Sequence, residues 1–199
     1  KALSMPFDLW LTFAAASIAL LLIPGPTVLL VLSYALSKGR SVAVASAAGV
    51  ALGDLIAMTA SLLGLGALVL ASATLFTALK WVGAAYLIYL GIKLVRSAPT
   101  SGLQLPATDS ITASRVFGHT AAVTALNPKS IAFFIAFVPQ FIQPNTPLVP
   151  QFAILITTFV TLAALNAFAY ALAADRLRRV IAQPNIITWI TRAGGGALI

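Results

Sequence analysis

Cysteine is absent from the 199 residues, histidine occurs once, and Asp and Glu together number four. Without cysteine there are no disulfides, no thiol redox chemistry and no thiolate metal site. A single histidine, His119, cannot build a metal site alone, and it is read as a satisfied histidine near the end of an apolar span. Catalysis within a membrane would need clustered His, Asp or Glu, so neither an enzyme nor a cofactor is expected. Charge of either sign is scarce, at 8% of residues, where a soluble domain carries about 25%. What fills the chain instead is apolar: 60% hydrophobic residues and a mean hydropathy of +1.02. That composition describes an all-α integral membrane protein crossing the bilayer several times. The formal charge of +8 would suggest nucleic acid in a soluble chain. Here the basic residues flank apolar runs, so no nucleic-acid partner is expected and topology accounts for them. Lys1 makes a poor basic leader and the first apolar run is too long for a signal peptide, so none is expected. Met5 is read as a start.

Six spans are expected. The first runs from Phe7 to Leu36, the second from Ser41 to Leu63 with Leu65–Ala71 as an extension or a loop, and the third from Leu75 to Val95. The fourth covers Val116–Phe141, the fifth Pro150–Ala174, and the sixth opens near Ile186 and is incomplete at Ile199. Residues 97–114, rich in Ser, Thr, Pro and Ala, read as a linker. Ser41, Ala45, Gly49, Gly53, Ala57 and Ser61 recur every four residues and form a small-residue stripe, suited to internal packing or to a homo-oligomer interface. Trp10, Trp81 and Trp189 read as an interfacial belt, with Lys80 an anchor beside Trp81.

Lys38, Arg40, Lys93, Arg96, Arg115, Arg176, Arg178 and Arg179 fall in three loops on one side of the bilayer. The positive-inside rule makes that side cytoplasmic and puts the N-terminus outside. Spans 1 and 4 share a further property: each is interrupted by proline near its middle, at Pro24-Gly25-Pro26 and at Asn127-Pro128-Lys129. Proline lacks an N–H and clashes with the carbonyl four residues back. The breaks therefore free the carbonyls of Leu20 and Leu22, and that of Thr124. Freed backbone at membrane depth survives only against protein or a water-filled cavity. Two halves of three spans, each opening on a broken helix and necessarily of opposite orientation, match the inverted-repeat plan of secondary transporters. The repeats are expected over residues 5–96 and 115–199 of a single transmembrane domain spanning 1–199.

These motifs together resemble the LysE/RhtB family of amino-acid exporters. The resemblance rests on Pro24-Gly25-Pro26, Lys38-Gly39-Arg40, Gly49 with Gly53, the run from Gly83 through Tyr86 and Tyr89 to Gly91, Asn127-Pro128-Lys129 and Pro139-Gln140-Phe141. It extends over nearly the whole chain. It implies export of amino acids or similar metabolites across the bacterial cytoplasmic (inner) membrane, driven by protons or membrane potential. The lysine and arginine exporters of the family often carry an acidic residue just after the span 4 motif. Ser130-Ile131-Ala132-Phe133-Phe134 has none, which favours a neutral amino acid such as threonine or homoserine.

A mid-bilayer charge costs about 2.5–3.5 kcal/mol and normally faces the bundle interior with a partner. Asp54 and Lys129 are the two charges placed centrally, so a mutual pairing, direct or through substrate and water, is expected; a purely structural pair is the plainer version. A zwitterionic amino acid suits the surroundings. Its carboxylate would meet the half-helix start at Pro26-Thr27, or Lys129. Its ammonium would meet Asp54 or the freed carbonyls. Asn166 on span 5 joins the substrate-binding candidates Pro24, Gly25, Pro26, Thr27, Asp54, Asn127, Pro128 and Lys129. Asp54 is also the candidate proton-coupling residue. Export of another small metabolite or ion on the same fold, or a passive channel, is the alternative.

Overall fold

The computed structural model describes residues 5–38, 42–96 and 112–174, with 176, 188–189 and 192–193 beyond them. Helices make up nearly all of this. Helix α1 (Phe7–Leu22) and α2 (Pro26–Lys38) are the two halves of the first span, bent by 57° at their junction. Proline is tolerated at the first turn of a helix because its missing N–H would be unpaired there anyway. Pro26 accordingly opens α2, while Ile23 leaves helical geometry for extended backbone ahead of Pro24. The fourth span breaks in the same manner. Helix α5 (Ala113–Ala125) ends at Leu126, and α6 (Pro128–Ala136) starts on Pro128 with a 44° bend, followed by a 3-10 turn at Val138–Phe141.

Helix α3 (Ala43–Ala71) runs unbroken for 29 residues, so Leu65–Ala71 extends the second span as helix. No proline interrupts it, and the rings of Phe152 pack on Gly66. Helix α4 (Ala73–Arg96) follows after one residue, and α7 (Leu148–Leu172) makes the fifth span. Two of these helices, α3 and α7, are each long and apolar enough to cross a membrane; the two bent pairs bring the number to four, and Ala73–Tyr89 of α4 is a shorter apolar stretch. The linker over 97–111 and most of the sixth span lie outside the described residues.

Helix α3 is the central post, packed chiefly on α5 and α7. Glycine allows the closest of these approaches. A Cβ at Gly49 would stand 2.6 Å from the Phe117 carbonyl oxygen, and one at Gly53 2.6 Å from that of Ala121. The central glycines of the small-residue stripe are thus used inside the chain, against α5. Gly83 does the same for α4 against Ala136. Trp10 differs from its expectation as a belt residue: its indole N–H donates to Thr158 Oγ1 at 2.9 Å and ties α1 to α7. Trp81 is exposed. Gln151, fully buried, gathers the connection ahead of α7 by bonding Gln143, Thr146 and Pro147.

The half-helices α1 and α6 lie to one side of the breaks, α2 and α5 to the other. On the first side Phe13, Phe133, Phe137 and Phe141 stack with neighbouring ring centroids 4.5–6.3 Å apart, continued through Phe159 and Phe134. On the second, a smaller cluster of Leu30, Tyr34, Val42 and Val116 closes the bundle, and the buried Tyr34 hydroxyl is hydrogen-bonded to His119 Nδ1. The space between these two seals holds the polar residues.

Candidate functional site

A helix end leaves its last carbonyls without intrahelical partners, and the α1 end lies inside the bundle. Side chains from two other helices reach its four terminal carbonyls, one of which, Leu20 O, also accepts the Ile23 N–H at 3.2 Å. Lys129 Nζ, on the first turn of α6, donates to Leu20 O at 2.8 Å and to Ile23 O at 2.7 Å. Asn166 Nδ2 donates to Leu21 O at 3.2 Å, and Tyr170 Oη to Leu22 O at 3.2 Å. The cation is well placed, because a helix C-terminus carries the equivalent of about half a negative charge. Asn166 and Tyr170 stand four residues apart on α7 and so share one face.

The second junction is tied to the first. Asn127 caps α6, its Oδ1 accepting from Lys129 N at 3.1 Å, while its Nδ2 donates to Thr27 Oγ1 at 3.1 Å. Thr124 Oγ1 also reaches Thr27 Oγ1, at 3.4 Å. Thr27 lies in the first turn of α2, whose preceding residue, Gly25, has no side chain to cap that turn. The Thr124 carbonyl, expected to be free, instead accepts the Asn127 N–H at 3.1 Å, because the α5 end tightens before Pro128.

Between the junctions is a cavity of about 40 Å³, room for about three waters. Gly25, Thr27, Asp54, Asn127, Lys129 and Asn166 line it, with Leu20, Leu21, Val28, Val31, Val50, Ser130, Ala163 and Ala167. Pro24, Pro26 and Pro128 do not line it; they shape the backbone around it. Asp54 is 2% exposed and its Oδ1 has no hydrogen-bond partner. The direct Asp54–Lys129 pair is therefore not made. Both charges face one cavity, but Lys129 spends its ammonium on the α1 carbonyls. Ser46 Oγ, two turns before Asp54 on α3, and Ser17 Oγ on α1 are likewise buried without partners. Unpaired buried polar atoms are rare enough to call for an explanation; for Asp54, the one of the three that lines the cavity, a polar guest there supplies one.

Sequence reasoning missed Tyr170. The signal was its position four residues after Asn166 in an otherwise apolar helix. Ser130 was hidden by its ordinary position in α6, and Ala163 and Ala167 by being apolar. No grouping of three His, Asp or Glu side chains exists among the described residues.

The model of the LysE type translocator family matches residues 18–199. The homoserine/homoserine lactone efflux protein of Salmonella typhimurium is 36% identical over 192 residues, covering 96% of this chain and 92% of that protein. A leucine efflux protein of Salmonella typhimurium is 32% identical over 136 residues, covering 68% of this chain and 64% of that protein. An uncharacterized membrane protein of Vibrio cholerae is 34% identical over 192 residues, covering 96% of this chain and 93% of that protein. No solved structure matches the chain.

Proposed function

Because the chain belongs to the LysE type translocator family, we propose that it exports neutral α-amino acids, such as threonine or homoserine, from the bacterial cytoplasm by alternating access. The observation that carries this reading is the cavity where the two broken spans meet. It presents an ammonium on helix-terminal carbonyls, an unpartnered carboxylate, and the uncapped first turn of α2. Those groups complement both charges of a zwitterion. Relatives named for efflux of homoserine and of leucine support the substrate class.

Gly25, Thr27, Asp54, Asn127, Lys129 and Asn166 bind the substrate, and Pro24, Pro26 and Pro128 hold the backbone that frames it. The carboxylate takes the N–H groups at the start of α2, where the dipole favours anions. Asp54 carries the coupled proton. Two inverted halves, 5–96 and 115–199, rock about the site, opening the Phe13–Phe137–Phe141 seal and the Tyr34–His119 seal in turn. The aromatic cluster on one side of the cavity and the Tyr34–His119 contact on the other support a carrier over a channel. The N-terminus is outside and the basic loops are cytoplasmic.

Proteoliposomes loaded with labelled threonine, homoserine, leucine or lysine, with and without an imposed pH gradient, test the proposal. The expected result is saturable, gradient-dependent loss of a neutral amino acid and retention of lysine. Retention of all four would transfer the site to another small metabolite, and non-saturable loss of all four would make the protein a channel.

A further inference from the structure

Lys129 occupies a cradle that fits any primary ammonium group. Its Nζ has Leu20 O at 2.8 Å and Ile23 O at 2.7 Å, at the negative end of α1. Its stem passes beside Gly25, where an added Cβ would stand in ordinary contact, 3.4 Å from Lys129 Cδ and 3.7 Å from Nζ. Asp54 faces the same cavity with Oδ1 unpartnered. The empty site thus holds one ammonium and one carboxylate, the same pair of charges that an α-amino acid brings. An arriving amino acid therefore meets groups of both its own charges in the same cavity.

We propose that Lys129 is a tethered substitute for the substrate's α-ammonium group. In the empty carrier it fills the Leu20–Ile23 cradle. An arriving amino acid displaces it, placing its own ammonium on the two carbonyls while Lys129 Nζ turns to the substrate carboxylate. This rests on the amino-acid export reading above. Two properties follow. The Ile23 carbonyl is never left bare within the membrane, while the Leu20 carbonyl keeps the Ile23 N–H throughout. Selection for a zwitterion resides in Lys129: a simple amine brings no carboxylate for the displaced lysine and leaves it only Asp54, and a simple carboxylic acid brings nothing to put on the cradle.

The test is Lys129→Ala in the full chain, purified in detergent, with methylammonium as probe and tetramethylammonium, which has no N–H, as control. Methylammonium is expected to raise the melting temperature of the variant by about 2–4 °C near saturation and to leave the natural protein unmoved. Tetramethylammonium is expected to shift neither. Proteoliposomes of the variant are expected to release 3-methylbutylamine, the decarboxylated counterpart of leucine, which the natural protein retains. A folded variant blind to methylammonium, or an equal shift in the natural protein, overturns the proposal. If Lys129→Ala yields no folded protein, Lys129→Met keeps most of the stem and opens only the Nζ position. Ammonium ion is then the probe, under the same criteria. The melting readout requires no transport, so the two proposals fail separately. Leucine export by the natural protein beside an amine-blind variant overturns the exchange alone. Amine binding by the variant of a chain that moves no amino acid supports the cradle and overturns the amino-acid reading.

Discussion

Asp54 and Lys129 face one small cavity, yet they are not joined. Lys129 is held by carbonyls of α1, and Asp54 Oδ1 by nothing. A carboxyl buried at 2% exposure with Oδ1 unbonded is costly to keep charged, which is why the proposed export cycle assigns it the coupled proton. Asp54→Asn keeps the side chain's shape and removes that exchange. The expected outcome is a variant present in the membrane at the natural level, with pH-gradient-driven efflux abolished in proteoliposomes. Efflux at the natural rate, still responding to the gradient, would remove Asp54 from the coupling. Asn166 and Tyr170 act differently, holding the Leu21 and Leu22 carbonyls; Asn166 and Leu21 line the site, and Tyr170 and Leu22 stand behind it.

At the scale of elements, the decisive contact is α3 against α5. The crossing is close because Gly49 and Gly53 present no side chain to the α5 backbone. At Gly53 an added Cβ would lie 2.6 Å from both the Ala121 oxygen and Thr124 Cβ, neither of which can yield without moving α5. Gly53→Ala is expected to destabilise by about 1–3 kcal/mol, as overpacking does, seen as a lower melting temperature followed by tryptophan fluorescence. Gly118, also helical, has nothing within 4 Å of a built Cβ. Gly118→Ala is expected to be neutral or stabilising by about 0.5–1 kcal/mol, because alanine loses less backbone freedom in a helix. Equal effects at the two positions would mean that helix propensity, not the α3–α5 approach, sets the response. The Gly53 variant also reports on function, since Thr124 next to it reaches Thr27 at the cavity edge.

For the whole molecule, the prediction concerns orientation. The natural chain has no cysteine, so single introduced cysteines report on their own positions without background. Ser114, at the start of α5, and Asn145, ahead of α7, are both exposed and stand at opposite ends of the fourth span. A membrane-impermeant maleimide added to intact cells is expected to label Asn145→Cys and spare Ser114→Cys, and in inverted vesicles to label Ser114→Cys and spare Asn145→Cys. The reverse pattern would invert the topology and make the Tyr34–His119 seal the outer one.

The sequence by itself determined the membrane class, because the balance of apolar and charged residues needs no partner to act. It also located both helix breaks, because proline's missing N–H and ring clash are local to the chain. The α3 stripe was legible from spacing, whereas Leu65–Ala71 stayed open between helix and loop until the structure made it helix. Which groups each freed carbonyl meets was decided only in three dimensions. Leu20 and Ile23 meet a lysine more than a hundred residues away, Leu20 and Thr124 each recover a bond from the N–H three residues on, and Asp54 shares its cavity with a Lys129 that is hydrogen-bonded to the α1 end. Hydropathy can say that a buried charge needs a partner. It cannot choose between a carboxylate and a helix terminus, because that choice depends on where α6 crosses α1, and the crossing is set by the packing of α3, α5 and α7.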